Sequence, residues 1–143
     1  PRRLVIVGEG TQEPALRRLA DELSIADRVT FEGAATDERL LALYAGALGV
    51  VYAPFDEDYG YVTLEAFLAR KPVVTARDSG GTLEFVEDGV NGFVCDPDPA
   101  ALAGAFSRLS DDRARARALG DAGHDRAALV TWDGVIEKLV GEK

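Results

Sequence analysis

The sequence of 143 residues has few of the side chains that build disulfides and metal centres. It contains one cysteine, one histidine and no methionine. Because Cys95 has no partner cysteine in this chain, no internal disulfide can form, and this favours a reducing compartment. His124 is distant from Cys95 along the chain, so we expect neither a metal site nor a Cys–His nucleophile from this pair.

Positive charge and long apolar runs are also scarce. The 16 basic residues are outnumbered by 25 acidic ones, giving a formal charge of −9, which argues against nucleic acid or an anionic membrane surface as a partner. No apolar run approaches the about 18 residues of a transmembrane helix, and no signal peptide is recognisable, so we expect no membrane insertion and a cytoplasmic location. The length suits a single domain, residues 1–143, with one core.

Apolar runs of strand length alternate with segments whose apolar residues recur at helical spacing. This alternation predicts an α/β fold with a doubly wound parallel sheet whose strands are buried. The predicted strands are 3–8, 28–33, 48–53, 73–75 and 93–95, and the predicted helices are 14–26, 37–47, 61–69, 100–110, 111–129 and 132–140.

Several residues mark the expected ends of these helices. Thr11, Asp58, Ser79 and Asp98 are candidate N-caps, because each carries a side-chain oxygen just before a predicted helix. Pro72 should end the helix that precedes it, since the residue before a proline is disfavoured in the α region.

An acidic loop between two predicted strands is the centre of the sequence. Gly60 opens a helix there, and the unpaired N–H groups and positive dipole of a helix start favour an anion. Asp56, Glu57 and Asp58 crowd the same loop and would repel a phosphate, so at least one must serve another purpose. Glu57 can accept hydrogen bonds from a polyhydroxy ligand, and Glu65 can reach a second set of hydroxyls. The alternative that these acids only complement the helix dipole stays open.

Short glycine-containing loops follow three other predicted strands. The first has a Gly-x-Gly pattern, which without a third glycine fits a tight turn as well as a dinucleotide site. Adjacent glycines let a backbone approach a ligand closely, although a plain turn or connector is the alternative. Because the carboxyl ends of parallel strands share one rim of a sheet, we expect these loops and the acidic loop to form one ligand cleft. The candidate residues in the glycine loops are Gly8, Gly10, Gly33, Ala34, Gly80 and Gly81.

Glu57 and Glu65 are separated by seven residues. The spacing resembles the Glu-x7-Glu motif of retaining, nucleotide-sugar-dependent glycosyltransferases of the GT-B fold, known as group 1 or family 4. The segments 64–67, 71–74, 78–84 and 88–93 are similar to the same family, and the resemblance extends from about residue 4 to 132. It implies the Rossmann-like C-terminal domain that binds the donor.

The resemblance also implies a reaction and roles. A sugar, expected to be a hexose, would pass from a nucleotide-diphosphate-sugar to an acceptor hydroxyl with retention of configuration, with no metal and no cofactor. Glu57 would be the catalytic residue that binds the donor sugar, and Glu65 would bind the ribose. Main-chain amides of Gly60, Tyr61, Val62 and Thr63 would hold the diphosphate, Gly80 and Gly81 would face it, and Gly8, Gly10, Gly33 and Ala34 would border the nucleotide.

Two departures from the family accompany these similarities. Arg70 stands where members usually have glycine, so we expect either a strained Arg70, which a positive φ would support, or a helix that ends differently. In similar proteins a strand and helix with an Arg and a Lys that bind the phosphates, and before them an acceptor-binding domain, precede the segment that begins at Leu4. A first residue of proline also favours a piece of a longer protein, so we expect this chain to be inactive alone. We further expect self-association at the open sheet edge and, through the missing domain, peripheral contact with the inner membrane face.

Three other functions stay open at this point. The chain could be a nucleotide-sugar-binding domain without chemistry. A glycoside hydrolase would use Glu57 and Glu65 as acid and base, but a helix start lowers the pKa of a carboxyl group, and one of the two would need a raised pKa. A flavodoxin-like receiver domain would need an acidic pocket after the first strand, which the sequence does not show.

Overall fold

The computed structural model describes residues 2–141. The chain divides into two compact units, Pro1–Ala42 and Leu43–Lys143, and each contains its own parallel sheet. The α/β class with parallel strands is therefore confirmed. That residues 1–143 form a single domain stays a prediction.

The first unit is a two-stranded sheet with flanking helices. Strand β1 pairs in parallel with β2, and Leu4 lies opposite Val29. The elements are β1 (Leu4–Val7), α1 (Glu13–Glu22), a 3₁₀ helix (Ala26–Arg28), β2 (Val29–Gly33) and α2 (Asp37–Gly46), whose last turn lies in the second unit.

Strand β1 is not buried, and the prediction that it would be is wrong. Leu4 is 46% exposed and Val7 42% exposed. A fully buried parallel strand needs a neighbouring strand at each edge and a layer on each face, and the sheet of this unit has only two strands. The apolar side chains of β1 therefore remain at the surface of the unit.

Helix α1 is shorter than predicted. It ends at Glu22, because Ser24 adopts a left-handed conformation with φ of 54°. Its N-cap is Gln12, which makes no side-chain capping bond, so the prediction that Thr11 caps this helix is wrong. Pro14 lies in the first turn as expected, since its missing N–H is not needed there.

The second unit is a three-stranded parallel sheet in the order β3-β4-β5, covered by helices. Its central strand β4 is buried along its whole length, as predicted. The elements are β3 (Val50–Val51), α3 (Tyr61–Leu68), β4 (Val73–Ala76), a 3₁₀ helix (Gly80–Glu84), β5 (Gly92–Cys95), α4 (Pro99–Asp111), α5 (Arg113–Ala127) and α6 (Trp132–Val140).

Strand β3 differs from its prediction. It covers two residues instead of 48–53, and Val51 is 37% exposed. It pairs with β4 alone in its sheet, so it is an edge strand, and an edge strand keeps one side open. The run of apolar residues predicts a buried strand instead.

The core of the second unit lies between its sheet and the two helices that follow it. Val74 and Phe93 from the sheet pack with Leu109 of α4 and Leu119 of α5, and none is more than 4% exposed. Helix α4 begins as predicted, because a carboxylate oxygen of Asp98 accepts the N–H groups of the first turn. No helix within residues 2–141 is long and apolar enough to cross a bilayer.

Helix α3 rests on small residues of α5. Phe67 of α3 is fully buried, and a Cβ added at Gly123 would overlap its ring. A Cβ at Gly120 would overlap the carbonyl oxygen of Arg70, just beyond the end of α3. Glycines at these two positions allow the helices to approach closely, so α5 supports α3 from behind.

Arg70 has φ of +57°, which supports the first of the two alternatives, a strained residue. The helix ends at Leu68, before the left-handed Arg70, and that Pro72 is the cause of this end stays a prediction. The Arg70 guanidinium donates to Asp121 of α5 at 2.8 Å. Both side chains are more than half exposed, so this ion pair contributes little stability.

The packing of α3 on α5 predicts opposite effects for two Gly→Ala substitutions. Gly123→Ala should lower the free energy of unfolding by about 1–3 kcal/mol, because the added methyl group overlaps the buried Phe67 ring. Gly104→Ala, in α4, meets no atom within 4 Å and should raise it by about 0.5–1 kcal/mol through helix propensity. Urea unfolding measures both, and equal effects would contradict the packing described here.

The left-handed residue at the end of α3 gives a second prediction. Arg70→Gly and Arg70→Ala both remove the ion pair with Asp121, but only glycine adopts positive φ without a steric penalty. We expect the glycine variant to unfold with a free energy about 1 kcal/mol higher than the alanine variant. Chemical denaturation of the pair tests this, and an alanine variant of equal or greater stability would show that the conformation is not strained.

Candidate functional site

The acidic loop follows β3 and runs beside the end of β4. The Tyr52 N–H donates to the Val74 carbonyl at 3.0 Å, which extends the pairing of the two strands by one residue. Farther on, the Asp56 N–H donates to the Asp78 carbonyl at 2.8 Å. The loop is thus anchored to the segment after β4 before it reaches Glu57.

Gly60 begins α3 in a conformation that suits glycine. Its φ is +78°, and a Cβ would lie 2.7 Å from the Thr82 hydroxyl oxygen. No side chain caps this helix, so the prediction that Asp58 is the cap is wrong. The left-handed turn at Gly60 replaces the extended conformation that an aspartate cap would need.

The main-chain amides at the start of α3 differ in the bonds they make. The Thr63 N–H donates to the Gly60 carbonyl at 2.9 Å, and the Thr63 side chain is fully buried. Tyr61 and Val62 occupy the first helical positions, whose N–H groups have no carbonyl one turn back. An anion at the helix start could use these two amides, and contact of Gly60 and Thr63 with a ligand stays a prediction.

Gly80 and Gly81 pack against the acidic loop. The Gly81 N–H donates to the Glu57 carbonyl at 2.6 Å. A Cβ on Gly80 would lie 2.5 Å from that same oxygen, and one on Gly81 would overlap the Asp58 carbonyl. The close backbone approach expected for adjacent glycines is therefore made to the loop itself, and their contact with a ligand stays a prediction.

Ser79 does not act as the predicted cap. Its hydroxyl accepts the Ala76 N–H at 3.3 Å, and no side chain caps the 3₁₀ helix that follows. The hydroxyl is fully buried and closes the turn after β4 instead.

Glu57 is held by a tyrosine. The Tyr52 hydroxyl donates to Oε2 of Glu57 at 2.8 Å, and both side chains are half-buried. Burial, followed by the hydrogen bond to Glu57 and its negative charge, raises the pKa of Tyr52 from 10.0 to about 12. The phenol therefore keeps its proton and remains a donor at neutral pH.

Glu65 has the same kind of partner. The Tyr44 hydroxyl, from the last turn of α2, donates to Oε2 of Glu65 at 2.9 Å. Tyr44 is 8% exposed, and burial is the main cause that raises the pKa of its phenol, with the bond and charge of Glu65 adding to it. Within residues 2–141, neither Glu57 nor Glu65 accepts a side-chain hydrogen bond at its other carboxylate oxygen.

The predicted residues fall into two groups. Those of the acidic loop, the start of α3 and the Gly80–Gly81 turn lie together in the second unit. The glycines of the first unit form their own contact, in which the Gly8 N–H donates to the Gly33 carbonyl at 2.8 Å. Gly8 and Gly33 have φ of 115° and 71°, so both turns use conformations that favour glycine. Gly10 and Ala34 are exposed in the adjoining loops.

Tyr44 and Tyr52 were not anticipated as site residues. Tyr52 follows β3, and Tyr44 shares its helical face with apolar residues, so the pattern marked both as packing residues. The one weak sequence signal for such a role concerns Tyr52. It lies near the end of a predicted strand, just before the loop that carries the candidate carboxylate Glu57. The carboxylates that these phenols contact were predicted from their place beside the helix start and from a spacing that resembles the family motif. Among residues 2–141, no group of His, Cys, Asp or Glu is arranged to hold a metal ion.

One family profile matches most of this chain. The profile described as "Glycosyl transferases group 1" matches residues 1–126. A D-inositol 3-phosphate glycosyltransferase of Acidothermus cellulolyticus is 38% identical over 97% of this chain and 32% of its own length. An alpha-1,3/1,6-mannosyltransferase of Mus musculus is 34% identical over 79% of this chain and 27% of its own. The chain thus spans about a third of the length of these relatives.

Solved structures agree in fold and family. Sucrose-phosphate synthase from Thermosynechococcus elongatus has a TM-score of 0.81 and 33% identity, covering 96% of this chain and 36% of that protein. The Anabaena protein HepE, solved with UDP-glucose, has a TM-score of 0.79 and 28% identity, covering 96% of this chain and 39% of that protein. With the family profile matched over most of its length, the chain belongs to the group 1 glycosyl transferases.

Proposed function

We propose that this chain is the donor-binding part of a glycosyltransferase that moves a hexose from a nucleotide-diphosphate-sugar to an acceptor hydroxyl with retention of configuration. The observation that carries this proposal is the pair Glu57 and Glu65. Each has one carboxylate oxygen bonded to a tyrosine, and they lie on either side of the helix start at Gly60. The similarity to HepE, which was solved with UDP-glucose, supports a nucleotide sugar as the ligand.

The proposed roles follow the distribution of charge in the site. Glu57 accepts hydrogen bonds from hydroxyls of the donor sugar, and Glu65 accepts them from the ribose, because carboxylates are strong acceptors for such groups. The amides of Tyr61 and Val62 receive the diphosphate at the positive end of α3. The amides of Gly60 and Thr63 flank these two and complete the proposed contact, although the Thr63 N–H also donates to the Gly60 carbonyl.

The reaction then depends on charge stabilisation at the leaving group. As the bond from the anomeric carbon to the diphosphate oxygen breaks, negative charge grows on that oxygen. Preorganised N–H groups stabilise such charge more in the transition state than in the substrate. The acceptor hydroxyl attacks from the face that the diphosphate leaves and gives its proton to the departing phosphate oxygen, so the configuration is retained. We propose that neither a metal nor a cofactor is required.

The remaining predicted contacts complete the proposal. Gly8, Gly10, Gly33 and Ala34 of the first unit contact the nucleotide through their main chains. Gly80 and Gly81 act through the acidic loop, because they hold the main chain of Glu57 in place. A nucleotide-sugar-binding domain without chemistry would use the same contacts, and a transfer assay on the complete protein distinguishes the two.

The complete protein is proposed to contain a further domain. This chain covers about a third of its relatives, so an acceptor-binding domain before it is proposed as the partner that completes the enzyme. The exposed apolar side chains of β1 need a cover in that protein, and the isolated chain should self-associate there. We place the enzyme in the cytoplasm, with contact to the inner membrane face through the further domain.

Binding of nucleotides to this chain is the direct test of the proposed function. We expect one nucleotide among UDP, GDP and ADP to raise the melting temperature, and its glucose conjugate to raise it further. Added EDTA should not change the shift. Failure of all three nucleotides and their sugar conjugates to bind would contradict the proposal.

Substitution of the two acids should affect different parts of the ligand. Glu57→Gln should weaken the nucleotide sugar by roughly tenfold and leave the free nucleotide unaffected, while Glu65→Gln should weaken both by roughly tenfold. Glu22→Gln removes the same charge from an exposed position in α1 and serves as the control. Isothermal titration calorimetry measures the three variants, and equal losses for both ligands in the Glu57 variant would contradict the assigned roles.

A further inference from the structure

We infer that Tyr52 and Tyr44 are positioning residues, each of which orients one acid so that a single carboxylate oxygen is presented to the donor. This inference rests on the proposed function, since it concerns how Glu57 and Glu65 meet their ligand. It adds two residues whose roles neither the spacing of the acids nor the helix start reveals.

Gly81 fixes the main chain of Glu57, and Tyr52 fixes its side chain. The main chain of Glu57 is fixed through its carbonyl, which accepts the Gly81 N–H at 2.6 Å. Its side chain is fixed through Oε2, which accepts the Tyr52 hydroxyl at 2.8 Å. Tyr52 is itself anchored, because its N–H donates to the Val74 carbonyl in the buried central strand. The side-chain torsion angles of Glu57, which lie between these two fixed atoms, therefore have little rotational freedom.

Tyr44 of α2 donates a hydrogen bond to Glu65 of α3. Glu65 is exposed on α3, and an exposed glutamate samples many rotamers unless a partner selects one. Tyr44 is buried on α2, so its own ring is fixed by packing, and its hydroxyl reaches Oε2 of Glu65 at 2.9 Å. Lys71, just after α3, donates to the Ala45 carbonyl at 3.1 Å and helps to fix the last turn of α2.

A carboxylate whose side chain is already held in one rotamer binds a ligand more tightly than a mobile one, because no rotamer freedom is lost on binding. A glutamate that must be immobilised on binding loses rotamer freedom at that moment, and this loss reduces affinity. A bond from a neutral phenol to a carboxylate is also charge-assisted, so it competes well with water at a partly exposed site. Both phenols would be protonated at neutral pH even with the ordinary pKa of 10.0, so both remain hydrogen-bond donors there.

The two tyrosines should therefore act on different halves of the ligand. Tyr52 acts through the acid assigned to the sugar, and Tyr44 acts through the acid assigned to the ribose. A residue that served only the stability of the fold would weaken every ligand to the same extent. The same chemical change, Tyr→Phe, at the two positions gives a matched pair in which each variant is the control for the other.

The test measures binding of UDP, GDP and ADP and of their glucose conjugates by calorimetry. We expect Tyr52→Phe to weaken the glucose conjugate by roughly tenfold and to leave the free nucleotide unchanged. Tyr44→Phe should weaken both ligands by roughly tenfold. The 2′,3′-dideoxy form of the preferred nucleotide lacks the ribose hydroxyls, so its binding should not respond to Tyr44→Phe.

A double-mutant cycle separates positioning from direct contact. If Tyr52 acts through Glu57, Tyr52→Phe should have no further effect in the Glu57→Gln background. A loss that persists in that background, or unchanged binding of the glucose conjugate by the single variant, overturns the inference for Tyr52. The corresponding cycle with Glu65→Gln decides the role of Tyr44.

An alkaline titration tests the underlying bond without any ligand. In the wild type, the tyrosinate absorbance of Tyr52 should develop only as the pH approaches about 12, and Tyr52→Phe should remove that component. Glu57→Gln should shift the same component to lower pH, because it removes a charge that opposes ionisation of the phenol. The stability that the neutral phenol contributes is present below its ordinary pKa of 10.0 and is lost as the pH rises toward 12.

The titration and the binding data fail in distinguishable ways. If no nucleotide binds the wild type but Glu57→Gln shifts the tyrosine titration, the proposed function fails while the bond itself is present, and the tyrosine has no donor-positioning role. If nucleotides bind but the titration of Tyr52 does not respond to Glu57→Gln, the bond is absent and the positioning inference fails alone.

Discussion

The contact between the Gly81 amide and the Glu57 carbonyl is the interaction on which the site depends. It joins the 3₁₀ helix after β4 to the acidic loop after β3, at 2.6 Å. The two segments can approach this closely only because Gly80 and Gly81 have no side chains to overlap the loop. With the loop held there, the chain can turn at Gly60 into α3, and Glu57 lies beside the start of that helix.

The support of α3 comes from the opposite side. Phe67 packs on Gly123, and α5 in turn belongs to the core formed with β4 and β5. Close packing in the interior resists displacement, so the helix that carries Glu65 has a defined position relative to the sheet. The helix start and Glu65 are therefore supported by the core of the second unit, while the acidic loop is partly exposed.

The α/β class, the helices, the acidic loop and the Glu57–Glu65 pair could be predicted because each depends on local pattern. Strand-length runs, helical periodicity, the proline at 72 and the glycine at 60 indicate structure over a few residues. The wrong predictions concern helix caps and strand burial, which depend on residues distant in the sequence. Thr11 and Asp58 have capping side chains, yet the chain enters both helices in conformations that do not use them. Burial of β1 and β3 depended on neighbouring strands that their sequences do not specify.

The sequence by itself determined the order of elements, the seven-residue spacing of the two acids and the glycine that begins α3, because these follow from short-range sterics and periodicity. Only the tertiary structure decided what each acid contacts. Tyr52 and Glu57 are close along the chain, but their bond needs the loop to fold back toward β4, and Tyr44 and Glu65 are 21 residues apart along the chain, so their bond depends on the fold. Which side chains distant in sequence become partners depends on all the packing contacts of the fold, and a local sequence pattern does not predict this.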